Sequence, residues 1–121
     1  MGFHAKTVFI LDDDDAVRDS LALLLESHGR TARAFRSWEE LHPHAGELPS
    51  GCLLLDYHMP GRNGLELLSA LRAEGVDPPT VLITGGGTDA IMNSAARAGV
   101  AFLEKPVTDE GLMGAIDRAL S

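Results

Sequence analysis

Short apolar runs alternate with longer stretches of helical spacing along the chain. The runs fall at residues 7–11, 31–35, 52–55, 80–83 and 100–103, and their length predicts strands. Between them, apolar positions recur every three or four residues. Val17, Leu21, Leu24 and Leu25 form one stripe, Leu65, Leu67, Leu68 and Leu71 a second, and Leu112, Ile116 and Leu120 a third. That spacing gathers side chains on one face of a helix. Gly29, Gly75 and Gly99 follow helical stretches, where a left-handed residue closes the last turn. Ser37-Trp38-Glu39-Glu40 has the form of a capping box, and Asp15 stands where the first stripe needs an N-cap.

The order is strand then helix, five times over. Such alternation with short connections predicts an α/β fold: a doubly wound, five-stranded parallel sheet with right-handed crossovers. Runs 8–11, 53–55 and 81–83 are apolar without alternation, so they are expected in the middle of the sheet, covered on both faces. Residues 31–35 include Arg33 and are expected at an edge. The 121 residues suffice for one domain, expected to span 1–121.

Charge narrows the function. The net charge of −8 gives no electrostatic footprint for direct nucleic-acid binding or for an anionic membrane surface. One cysteine, Cys52, excludes an internal disulfide and a cysteine zinc site, and its place in an apolar run marks a buried, inert thiol. No apolar stretch approaches the ~20 residues of a membrane span. Residues 1–6 hold no hydrophobic signal core, and Lys6 spoils a myristoylation pattern. A soluble, cytoplasmic setting is expected. Asp12, Asp13, Asp14 and Asp15 are consecutive and supply four of the 18 acids, a run that demands a reason.

In doubly wound sheets, ligands bind outside the carboxyl ends of the strands. Asp12 and Asp13 follow the first run, Asp56 the third, Thr84 the fourth, and Lys105 with Pro106 the fifth. Crowded carboxylates raise one another's pKa unless a cation offsets them. Lys105 offsets one charge. Oxygen-only ligands suit magnesium better than zinc for the rest. Magnesium completes its shell with a phosphate, and a carboxylate can itself accept a phosphoryl group. Lys105 and Thr84 would then hold phosphoryl oxygens, as a point charge and a hydroxyl donor.

Four pieces in order resemble the receiver domain of bacterial two-component response regulators. They are Val8-Phe9-Ile10-Leu11-Asp12-Asp13, Leu53-Leu54-Leu55-Asp56-Tyr57-His58-Met59-Pro60-Gly61-Arg62-Asn63-Gly64, Val81-Leu82-Ile83-Thr84-Gly85 and Phe102-Leu103-Glu104-Lys105-Pro106. The resemblance implies the chemotaxis-regulator fold, with strand order 2-1-3-4-5. It implies Asp56 as phosphoacceptor, and Asp12, Asp13, Asp56 and the backbone carbonyl of His58 as ligands of Mg2+, with Mn2+ as substitute. It implies Lys105 and Thr84 on the phosphoryl group, Phe102 as the switch aromatic, and a cis Lys105–Pro106 bond. Thr84-Gly85-Gly86-Gly87 resembles the nitrogen-fixation regulator subgroup, whose receivers precede a helix-turn-helix domain. The implied partners are a sensor histidine kinase or phosphotransfer protein, and a second copy across the fourth helix, fifth strand and fifth helix. No direct nucleic-acid or membrane partner is implied, and no turnover beyond the domain's own phosphorylation and dephosphorylation.

Val107 stands where an aromatic is frequent, and Phe102 lacks a hydroxyl; both bear on switch amplitude. His58 lies two residues past Asp56, near the expected phosphoryl group; a role in tuning its hydrolysis, by steric cover or by positioning water, stays open. His42 and His44, separated by Pro43, read as surface residues, and Trp38 as packing. Asp14 and Asp15 read as a helix-start patch. Thr84 as a plain strand-end residue and Phe102 as plain core stay open. Ser121 follows the last apolar position, which leaves a stand-alone receiver acting by protein contact beside one domain of a transcription factor. A magnesium phosphohydrolase would need an acid where His58 stands, and a degenerate receiver would lack part of the Asp12, Asp13, Asp56, Thr84 and Lys105 set.

Overall fold

The structure is a computed structural model describing residues 6–121. Residues 1–5, for which no signal core or myristoylation pattern is expected, lie outside the described residues. Five parallel strands form one sheet: β1 (Val8–Leu11), β2 (Ala32–Phe35), β3 (Cys52–Asp56), β4 (Thr80–Thr84) and β5 (Ala101–Glu104). Their spatial order is 2-1-3-4-5. The order reverses at β1 and β3, which pair in register through Val8 with Cys52 and Leu11 with Leu55. Every residue of β1, β3 and β4 is buried, as the unbroken apolar runs predict. The strands β2 and β5 are the edges and are only partly covered.

Helices α1 (Asp15–Ser27) and α5 (Asp109–Leu120) cover one face, where Leu21, Leu25, Leu112 and Ile116 pack on Val8, Ile10, Leu54 and Val81. On the other face, Phe9, Leu11, Leu53, Leu55 and Leu82 meet Leu41, Leu67, Leu68 and Leu71. That layer holds α2 (Trp38–Leu41), α3 (Gly64–Ala73) and α4 (Asp89–Ala98). Each fully buried Leu or Ile contributes about 1.5–3 kcal/mol, so the two apolar layers are the main source of stability. Cys52 is buried, and burial pushes its thiol up to about 12, as befits an inert core residue.

Several local expectations need correction. The second helix is one α turn that continues as a 3₁₀ helix, His42–Ser50. Pro43 and Pro49 cannot donate backbone bonds, which disfavours a regular α-helix there. Ser37 does cap α2, accepting from the Glu40 N–H, but the Glu40 carboxylate takes the Arg36 N–H, so the box does not close on Ser37. A complete capping box stands instead on α3, between Asn63 and Glu66. The N-cap of α1 is Asp14, not Asp15: Asp14 has extended backbone and accepts from the Val17 N–H. Gly29, Gly75 and Gly99 have φ of 75°, 82° and 73°, the left-handed closure predicted for them.

Candidate functional site

The parallel register gathers the site. Leu11 pairs with Leu55, so Asp12 emerges beside Asp56, and Asp56 pairs with Ile83, one residue before Thr84. Thr84 pairs with Glu104, which brings Lys105 to the same edge. The ladders run one residue further than the apolar runs, so Asp56 and Thr84 are the last residues of their strands rather than the first of their loops. Backbone bonds from Tyr57 N–H to the Ile83 carbonyl and from Lys105 N–H to the Thr84 carbonyl, both 2.8 Å, tie the loop starts to the sheet.

Asp12, Asp13 and Asp56 offer carboxylate oxygens that lie within 4.8 Å of one another. Asp12 and Asp56 are buried and Asp13 is exposed. Lys105 Nζ lies 3.5 Å from Asp12 Oδ2 and 3.8 Å from Asp56 Oδ1, between the two buried acids. Burial pushes the Asp56 carboxyl up to about 6, and the Asp12 charge adds to the rise. Lys105 and the His58 N–H, 3.2 Å from Asp56 Oδ1, pull the other way without cancelling it. One ammonium for three close carboxylates leaves the cluster short of positive charge. The donors are all oxygen, which suits a hard divalent cation.

The remaining predicted residues fall around this cluster. The Thr84 hydroxyl is buried and meets His58 Nε2 at 2.9 Å. Phe102 is half-buried on the apolar layer of α3 and α4. Its ring tip lies where a Cβ on Gly87 would come within 2.7 Å, so the glycine makes room for the ring. Gly85 lies beside the aliphatic stem of Lys105. The Lys105–Pro106 peptide bond is cis. His42 and His44 are at the surface, paired with Glu74 and Glu47 at 2.8 Å. Trp38 stacks on His42 and carries the Arg62 guanidinium over its ring, a packing role.

Arg18, absent from the sequence reading, and Gly64, present there only as the end of a motif, also shape the site. Arg18 donates to the Asp12 carbonyl at 2.8 Å and pairs with Asp15, fixing the start of the acidic loop. Its spacing three residues after Asp15 was the available signal. Gly64 opens α3 directly against β3: a Cβ there would lie 2.5 Å from the Asp56 carbonyl oxygen and 3.1 Å from Leu55 and Leu82. Glycine at that point lets the helix approach the acidic strand end.

A doubly wound sheet with a cation-seeking acid cluster and a lysine at its switch point defines a class of α/β phosphate-handling domains. Residues 8–117 match the response regulator receiver domain. The chain is 40% identical over 114 residues to the transcriptional regulatory protein FixJ of Azorhizobium caulinodans, covering 93% of this chain and 54% of that protein. It is 36% identical over 121 residues to the response regulator protein TmoT of Ectopseudomonas mendocina, covering 99% of this chain and 55% of that protein. It superposes on the crystal structure of FixJ-N with a TM-score of 0.87 at 36% identity, over 97% of this chain and 94% of that one. The chain belongs to the response regulator receiver domain family, whose members serve two-component signalling and bind a divalent cation at an acidic cluster of this kind. It spans about half the length of the curated relatives described.

Proposed function

We propose that this chain is a single receiver domain, residues 1–121, that accepts a phosphoryl group on Asp56. The donor is a phosphohistidine on a sensor histidine kinase or a phosphotransfer protein. An Asp56 carboxylate oxygen attacks phosphorus, an O–P bond forms, the N–P bond breaks, and the histidine nitrogen leaves with the electron pair and takes a proton. Asp12, Asp13, Asp56 and the His58 carbonyl would hold Mg2+, with Mn2+ as substitute. The three clustered carboxylates and their shortage of cationic charge support that assignment. When bound, the ion supplies positive charge to the transferred phosphoryl oxygens. Lys105 and Thr84 bind the other oxygens, and most of the chemistry is positioning and electrostatics.

An apolar groove of about 300 Å³ is lined by Val17, Leu21, Leu24, Val107 and Lys105. Sharing Lys105, the groove adjoins the acceptor. Phosphorylation then draws on Thr84 and, through the Gly87 contact, on Phe102, shifting the face of α4, β5 and α5 between two states. That face carries a homodimer, and the output is transcription through a DNA-binding domain outside this chain. The setting is cytoplasmic; no helix among the described residues is long and apolar enough to cross a membrane. The domain catalyses only its own phosphorylation and dephosphorylation.

The observation that carries this reading is the buried Asp56 carboxylate, 3.8 Å from Lys105 within the acid cluster. With acetyl phosphate and Mg2+, intact-mass measurement is expected to find one phosphoryl group on the protein and none on Asp56→Ala. A normal mass gain in that variant would remove Asp56 as acceptor.

A further inference from the structure

The Thr84 hydroxyl is not waiting free for a phosphoryl oxygen. Thr84 is 0% exposed, and two groups hold its hydroxyl: the Gly86 N–H at 3.3 Å and His58 Nε2 at 2.9 Å. His58 sits on a braced loop. Its N–H donates to Asp56 Oδ1, the Tyr57 N–H donates to the Ile83 carbonyl, and the Gly64 N–H donates to the Tyr57 carbonyl. The Tyr57 ring meets the imidazole edge-on, with centroids 5.1 Å apart. The other partner is loose by composition. Thr84 leads into Gly85, Gly86 and Gly87, which have the widest choice of backbone states. One side chain of a rigid loop therefore fastens the hydroxyl that begins a flexible one.

We propose that His58 is a latch on the resting state: Thr84 donates its single hydroxyl proton to His58 Nε2 and must surrender that bond before it can donate to a phosphoryl oxygen on Asp56. This deepens the phosphoacceptor reading and rests on it. A hydroxyl has one proton, so the imidazole and the phosphoryl oxygen compete for the same donor. The latch lowers the readiness of the domain to adopt its phosphorylated conformation. The Nδ1–H tautomer of His58 is part of the proposal. If the ring instead donated to Thr84, His58 would help the hydroxyl toward the phosphoryl group, and its removal would act in the opposite sense.

The test uses beryllium trifluoride with Mg2+, a stable mimic of the phosphoryl group, titrated calorimetrically. His58→Ala is expected to bind it about two- to tenfold more tightly than the parent, the scale of one net hydrogen bond. His58→Gln, which returns a polar atom to the same reach, is expected to restore the parent affinity. In a Thr84→Val background, His58→Ala is expected to change nothing, because the latched proton is gone. Unchanged or weaker binding by His58→Ala overturns the latch, as does an equal gain in the Thr84→Val background. Failure of the parent protein to bind beryllium trifluoride overturns the phosphoacceptor reading itself, and the latch with it.

Discussion

Asp56 holds its proton more tightly in the fold than in an unfolded chain, because burial and the Asp12 charge outweigh Lys105. Its pKa moves from 3.8 to about 6, so between those values the folded state binds more protons than the unfolded one. Stability contributed by the protonated form is present at low pH and is lost as pH rises through about 6. In metal-free protein this penalty reaches at most about 3 kcal/mol by pH 7. Urea unfolding at pH 4 and pH 7 is expected to show the parent losing stability relative to Asp56→Asn. Parallel pH profiles would contradict the shift. Added Mg2+ acts in the opposite direction, since it needs the charged carboxylate. The neighbouring acids divide by role. Asp13→Asn is expected to weaken Mg2+ binding by roughly tenfold, the scale of a damaged ligand shell. Asp14→Asn is expected to leave it intact, because Asp14 caps α1 and Asn caps as well as Asp. Equal losses by calorimetry would mean that the acidic run acts only through its bulk field. That Asp12 and Asp13 stand at the acidic strand end was legible from their place after a buried strand. The sequence could not separate Asp14 from Asp15 as the cap, since both are acids and the one-residue difference lies in backbone angles.

The elements were legible wherever periodicity was undisturbed. The buried runs of β1, β3 and β4 and the leucine stripes of α1, α3 and α5 appear where the patterns placed them. The stretch after Phe35 was less legible, because Pro43 and Pro49 remove donors and the chain tightens into 3₁₀ turns. At the start of α3 the pattern Asn63-Gly64-Leu65-Glu66 hid two functions, a closed capping box and a close approach to β3. Gly64→Ala places a methyl group against the Asp56 carbonyl oxygen at 2.5 Å, backbone that has little room to move. It is expected to cost about 1–3 kcal/mol, as overpacking does, and to slow phosphorylation by displacing Asp56. Gly46→Ala, at a position with open space, is the control. Equal stability of the two variants in thermal unfolding would contradict the close approach.

At the scale of the molecule, a parallel sheet with its reversal between β1 and β3 collects four strand ends into one acidic edge. The net charge of −8 divides accordingly. Asp12, Asp13 and Asp56 cluster at that edge, while Asp14 and Asp15 begin α1 and partner Val17 and Arg18. The His58–Thr84 contact was not legible, because it joins a loop to a strand end 26 residues away and depends on where two side chains meet. In the proposed function, Asp56 takes the phosphoryl group while the surrounding acids hold the cation. A crystal structure with Mg2+ and beryllium trifluoride tests it most directly. Beryllium is expected on an Asp56 carboxylate oxygen, Mg2+ on Asp12, Asp13, Asp56 and the His58 carbonyl, and fluorine atoms in contact with Lys105 and Thr84. Beryllium trifluoride bound to Asp12 or Asp13 with Asp56 free, or Mg2+ seated away from these carboxylates, would contradict it.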